Sequence, residues 1–174
     1  MYAKIVLLAV AAAVISGCSS TPTPQNPDEY RAVISKGTFG TKVDTYTVKS
    51  PYSKVAKVLQ DKTKECLPAK VAEKSCTAGV CKAFKSIYKP TLLKSSNKTE
   101  LHVQYEREPD DGIYLGGKPP ADGMYVIVAD AVPDGPKATK MTVYAPTMYF
   151  VHMPAAVKHW VNGTNLGCPD FTSR

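Results

Sequence analysis

The chain has 174 residues, 44% of them hydrophobic, with 22 basic and 15 acidic side chains and a net charge of +7. That length holds one ordinary domain and excludes an array of domains, and the lack of any internal repeat excludes a solenoid. Beyond the first twenty residues no apolar run approaches the roughly 20 residues needed to cross a bilayer.

In chain order, Lys4 gives a short positive start, and Ile5 to Val14 forms an apolar run of ten residues. Small residues then lead to a cysteine in Ile15-Ser16-Gly17-Cys18. A positive start, a short apolar run and small residues at the cut describe a removable secretory signal. ISGC resembles the lipobox of bacterial lipoproteins. The resemblance implies cleavage after residue 17, a lipid on the Cys18 thiol and a membrane-anchored protein of the cell envelope. Ser19, where an aspartate is absent, is similar to lipoproteins sorted to the periplasmic face of the outer membrane in Gram-negative hosts. Two or more acyl chains make such an anchor stable. Three units are therefore expected: a signal peptide at 1–17, a lipidated, proline-rich tether at 18–41, and one domain at 42–174. Pro22, Pro24 and Pro27 favour an extended, semi-rigid tether.

The domain alternates structure types. Lys42 to Lys49 has β-branched and aromatic residues in a two-residue rhythm and reads as a strand. Ser50-Pro51 marks a helix start, and Tyr52, Val55, Val58, Leu59 and Cys66 place an apolar stripe on a helix to about Cys66. Residues 67 to 80 read as a stapled loop. Ala83 to Leu93 reads as a strand whose second half Pro90 confines to an edge or a bulge. Thr99 to Arg107 alternates as a half-buried strand. Met124 to Val132 and Lys137 to Ala145 form a hairpin around Asp134-Gly135. Thr147 to Asn162 reads as a helix with Phe150, Val151, Val157, Trp160 and Val161 on its apolar face, stopped by Gly163 and kinked or delayed by Pro154.

This order predicts an α+β domain: an antiparallel sheet of four to five strands with an N-terminal and a C-terminal helix packed on one face. It resembles the helix-grip fold of START-like lipid-binding domains, and also small domains of outer-membrane assembly lipoproteins. Lys158-His159-Trp160 through Gly167-Cys168-Pro169-Asp170 is similar to the endings of small envelope lipoproteins of unknown function.

Four cysteines follow Cys18, an even number that suits disulfides in an exported chain. Cys76 and Cys81 flank a short glycine-containing loop, so a local bridge is easy, and Cys66 and Cys168 pair by elimination. The latter bridge closes about a hundred residues, which the chain-entropy model values at about 4–5 kcal/mol. Zinc is the competing use, but structural sites favour two close C-x₂₋₄-C pairs, and only one pair is close. No metal or cofactor is expected.

Catalytic patterns are missing. G-x-S-x-G and H-E-x-x-H do not occur. His152 and His159 are seven apart, too far for an i, i+4 metal pair. His102 alternates with core residues, so it is expected to face solvent or the sheet's polar side. An enzyme is not expected. Tyrosine is more informative. Tyr88, Tyr105, Tyr125 and Tyr144 fall in predicted strands, and with Trp160 they are candidates to line a pocket for an apolar ligand between the sheet and the last helix. Tyrosine is also simply a good strand residue. The connection Glu108 to Gly123 is long for a compact domain, and Ile113, Tyr114 and Leu115 form an apolar triplet in it that suits a partner contact, a cap over a cavity or a place on the core. Charge is bipolar. Lys49 to Lys98 carries twelve lysines against three acids, and Glu100 to Asp134 carries eight acids against two bases. A basic region beside a membrane suits anionic headgroups or an acidic partner, or simply keeps the protein soluble. Nucleic acid is not expected, because the compartment is wrong. The expected function is a membrane-anchored structural or accessory component of the envelope with a protein partner. The alternative is a binding module for a lipid or other apolar ligand.

Overall fold

The structure, a computed structural model, describes residues 22–37, 40–77, 79–109, 117–164 and 167–171. The leader, Cys18 and the triplet Ile113, Tyr114 and Leu115 lie outside the described residues. Among the described residues three helices and six strands follow in chain order: α1 (Pro27–Ser35), β1 (Thr41–Val48), α2 (Tyr52–Cys66), β2 (Ala69–Thr77), β3 (Val80–Lys94), β4 (Thr99–Glu108), β5 (Met124–Pro133), β6 (Thr139–Pro146) and α3 (His152–Val161). The strands form one antiparallel sheet in the order β1-β6-β5-β4-β3-β2. The fold is therefore α+β. α2 connects the two edge strands, and no described helix is long and apolar enough to cross a membrane.

The sheet has six strands where four to five were expected, because residues 69–77 form β2 rather than a stapled loop. Its hairpin with β3 puts Cys76 opposite Cys81 in register, with Cα atoms 4.0 Å apart in a disulfide. Cys66 and Cys168 form the second bridge, 5.0 Å between Cα atoms, across 102 residues. β2 ends opposite Tyr88, so the following stretch of β3 lacks a neighbour on that side, and Pro90 sits there without removing a ladder bond from β2.

α2 and α3 cover one face. Val55 and Leu59 from α2, and Met153, Val157 and Trp160 from α3, pack on Leu101 and Val103 of β4, Ile127 and Ala129 of β5, and Met141 and Val143 of β6. α2 begins with Pro51 at the cap position and has no side-chain cap, so Ser50 does not play the expected N-cap role. Instead the Ser50 carbonyl accepts from Thr139 Oγ1 at 2.8 Å. A bulge in β5, where Val126 has no partner between Val103↔Ile127 and Gln104↔Tyr125, turns Val126 and Ile127 both into this core.

The opposite face carries α1, within the segment expected to be tether. Asn26 caps it: its Oδ1 accepts from the Glu29 amide at 2.9 Å, while a Glu29 carboxylate oxygen accepts from the Gln25 amide at 2.8 Å. Tyr30 and Ile34, four apart, bury one small stripe against Val128, Tyr125 and Tyr144. Arg31 then reaches the sheet. Its guanidinium donates to Asp130 at 2.6 Å and to Glu100, and also to Asp28 at 2.6 Å. Lys98 joins Glu100 at 3.0 Å, and His102 Nε2 lies 3.3 Å from Glu100. Burial favours the neutral acid, but the Arg31, Lys98 and His102 hydrogen bonds outweigh it and hold the Glu100 carboxyl at about 2. His102 lies on the sheet's polar side as expected, but α1 buries it, and that burial lowers its pKa.

Candidate functional site: an aromatic cleft where the last helix begins

Tyr88 on β3 and Tyr105 on β4 are register partners, so their rings stand together on the α2–α3 face, 5.4 Å between centroids. Phe150 closes on both, at 5.1 Å from Tyr105 and 6.3 Å from Tyr88. Phe171 reaches Tyr88 at 4.5 Å and meets His152 edge-on at 5.6 Å. These rings bound an open cleft of about 220 Å³, whose wall is completed by Glu73, Arg107, Tyr149 and Val151.

Two local features build it. The first is the corner before α3. The helix starts at His152 rather than near Thr147, with Pro154 in its first turn, where a missing amide costs nothing. Tyr149 and Phe150 take φ values of 55° and 39°, a left-handed corner that non-glycine residues adopt at a cost and that clusters at functional sites. It aims Phe150 inward and leaves Tyr149 at the rim, 70% exposed. The second feature is the C-terminal tail. The Cys66–Cys168 bridge and Trp160 Nε1, donating to the Gly167 carbonyl at 2.9 Å, fix the strand of chain that delivers Phe171.

The polar groups are few. Ser86 Oγ, fully buried, donates to Glu73 and lies 3.2 Å from the Tyr105 hydroxyl. The Arg107 guanidinium stacks 4.3 Å over the Phe84 ring. His152 Nε2 is buried with no hydrogen-bond partner, and burial lowers its pKa while Asp170 pulls the other way. Four aromatic rings with Tyr149 at the rim, the His152 ring and Val151 therefore line the opening, and Glu73 and Arg107 are its charged groups. The volume is below the 300–1,000 Å³ of a typical small-molecule site. It fits one apolar group, a ring or a short branched chain, and the ring faces and edges can grip either.

Of the five aromatic residues predicted to line a pocket, the fold brings Tyr88 and Tyr105 together here. Tyr125 and Tyr144 pack on the other face under α1, and Trp160 is buried toward the far end of α3, holding the tail. Glu73, Arg107, Tyr149, Phe150, His152 and Phe171 were not anticipated as lining residues. Pro154 was the available signal: a helix delayed to His152 frees the residues before it to form a corner. The end of the Glu108–Gly123 connection is pinned close by. Gly123, at φ 93°, lies so near the Tyr105 carbonyl that a Cβ would stand 2.3 Å from its oxygen, and the Gly123 carbonyl accepts from Gln104 at 3.1 Å. The chain matches no protein-family model and none of the curated proteins.

Proposed function

We propose that the protein is a lipid-anchored, non-catalytic interaction component of the cell envelope whose aromatic cleft receives one apolar group of a partner or ligand. The observation that carries this reading is the cleft itself: four aromatic rings held by a left-handed corner and a disulfide-tethered tail, with a mouth left open. The size supports capture of a single group rather than enclosure of a whole lipid, and so favours the interaction role over the lipid-carrier role suggested by the helix-grip resemblance. The ISGC lipobox supports the anchor on Cys18 and an envelope location, on the periplasmic face of the outer membrane in a Gram-negative host. Crosslinking of the native lipoprotein in intact cells, followed by capture and mass spectrometry of proteins and lipids, tests the reading. A species enriched by the wild type and lost with Phe150→Ala supports it. Equal recovery with wild type and Phe150→Ala, or no enriched species at all, overturns it.

A further inference from the structure

The ends of the strands sort the molecule into two poles. Thr41, Pro146, Met124, Glu108 and the β2–β3 turn share one pole, because each is the matching terminus of an antiparallel neighbour. The N-terminal segment arrives at this pole. Thr23 Oγ1 donates to the Gly117 carbonyl at 2.8 Å, and Gln25 Nε2 donates to the Lys118 carbonyl at 3.0 Å, both in the β4–β5 connection. Cys18 precedes Pro22 by four residues, so it lies within about 14 Å of that residue even if the chain is fully extended.

Exposed apolar side chains gather at the same pole. Of seven large ones among the described residues, six are here and only Leu93 is at the other pole. Val80, on the tip of the β2–β3 arm, is 65% exposed, and Met148 and Tyr149 are 49% and 70% exposed. The arm projects because β4 pairs with β3 only from Lys85 onward, leaving Val80 to Phe84 paired with β2 alone and stapled by Cys76–Cys81.

The β2–β3 arm is locally basic, with Lys74 and Lys82 against Glu73, which accepts from Ser86. Among the described acids nearby, Glu106 and Asp122 pair with Lys89, Glu108 with Lys85 and Asp44 with Lys158, while Glu29 accepts from the Gln25 amide and Asn26. Lys42, Lys74, Lys82 and Lys118 have no carboxylate partner among the described residues. A surface that combines unpaired lysines, exposed apolar side chains and an interfacial tyrosine matches the layers of a bilayer surface.

We propose that this pole rests on the anionic surface of the bilayer, with Lys74 and Lys82 of the β2–β3 arm among phospholipid phosphates and Val80, Met148 and Tyr149 at the headgroup boundary. The proposal rests on Cys18 being the point of attachment and is independent of what the cleft binds. It turns the cleft mouth, whose rim holds Tyr149, toward the membrane.

The test uses the chain beginning at Cys18, coupled through that thiol to a maleimide-bearing lipid in vesicles of phosphatidylcholine with or without phosphatidylglycerol. The coupling supplies the anchor, so a missing native lipid and a failure to dock give different results. Acetylation of each lysine is read by mass spectrometry. On phosphatidylglycerol vesicles, Lys74, Lys82 and Lys118 should lose reactivity about fivefold, the scale of one lysine–headgroup contact. Lys94 and Lys137, at the opposite pole, should keep theirs, and neutral vesicles should protect neither set. Lys74→Glu with Lys82→Glu, both at exposed positions, should remove the protection of Lys118. Equal reactivity at both poles on anionic vesicles, or protection of Lys94 and Lys137 instead, overturns the proposal.

Discussion

The two faces of the sheet are closed by different means. The α2–α3 face is sealed by a continuous apolar layer from Val48 to Trp160, and the layer gives way to the cleft where α3 begins. Among the described residues the α1 face buries only Tyr30, Ile34 and Val128 as an apolar cluster, and Arg31 holds the helix down through Asp130 and Glu100. An apolar layer is strong and non-directional, so it can stop short and leave an opening without losing the fold. A charge clamp is directional and local, so its loss should release one helix and leave the domain standing.

The largest expected effect lies in the apolar layer. Leu101→Ala, at a position with no exposure, should cost about 3 kcal/mol in urea unfolding and lower the stability of both faces together. Next comes the tail: Cys66→Ser with Cys168→Ser should cost about 2–3 kcal/mol, below the chain-entropy value because the unfolded chain keeps residual structure, and free Phe171, so that the Tyr88 ring resonances shift in NMR spectra. Arg31→Ala should cost about 2 kcal/mol, because it leaves two carboxylates facing each other under α1. Its effect should appear in hydrogen exchange as faster opening of α1 amides, with β4 amides unchanged.

The clamp also predicts a pH dependence. The folded-state pKa of Glu100, about 2, is below its ordinary 4.5, so its contribution is present above 4.5 and is lost as pH falls from there toward 2. The Tm should therefore drop more steeply over that window in the wild type than in Glu100→Gln. The smallest effect belongs to the exposed Lys57–Asp61 pair on α2. Lys57→Ala should change stability by less than about 0.5 kcal/mol, which sets the scale of a surface ion pair against the Arg31 clamp.

Most of the apolar face was legible in the sequence, because alternation and helical spacing report a large buried layer directly. Leu101, Val103 and Tyr105 alternate onto it as expected, and Met141, Val143 and Ala145 put Tyr144 on the other side. Tyr125 misleads a simple alternation. It should share a face with Ile127, but the bulge at Val126 reverses the parity and sends Tyr125 under α1. β2 was hidden because beyond Val71 its arm has no helix to pack on, so Glu73, Lys74 and Ser75 show no apolar rhythm. α1 was hidden by its proline-rich approach and by a stripe of only two buried residues, although Asn26 and Glu29 carry a capping pattern. The two disulfides followed from cysteine spacing, since a hairpin pair and a long-range pair are the simplest use of those four positions. Half of the cleft was only hinted at: Pro154 marks a delayed helix start but does not dictate the left-handed pair at Tyr149 and Phe150, and Phe171 reaches Tyr88 only through a disulfide that joins residues 102 apart in sequence.

The claim that the open end of the apolar face is where the protein works is tested most directly by site-specific photo-crosslinking in the living host. A photoreactive phenylalanine analogue would replace Tyr149 at the cleft rim or, in a second strain, Thr45 on the α1 side of the sheet. A discrete adduct is expected from position 149 that disappears with Phe150→Ala, and none from position 45. Adducts of equal yield from both positions, or from position 45 alone, would contradict it.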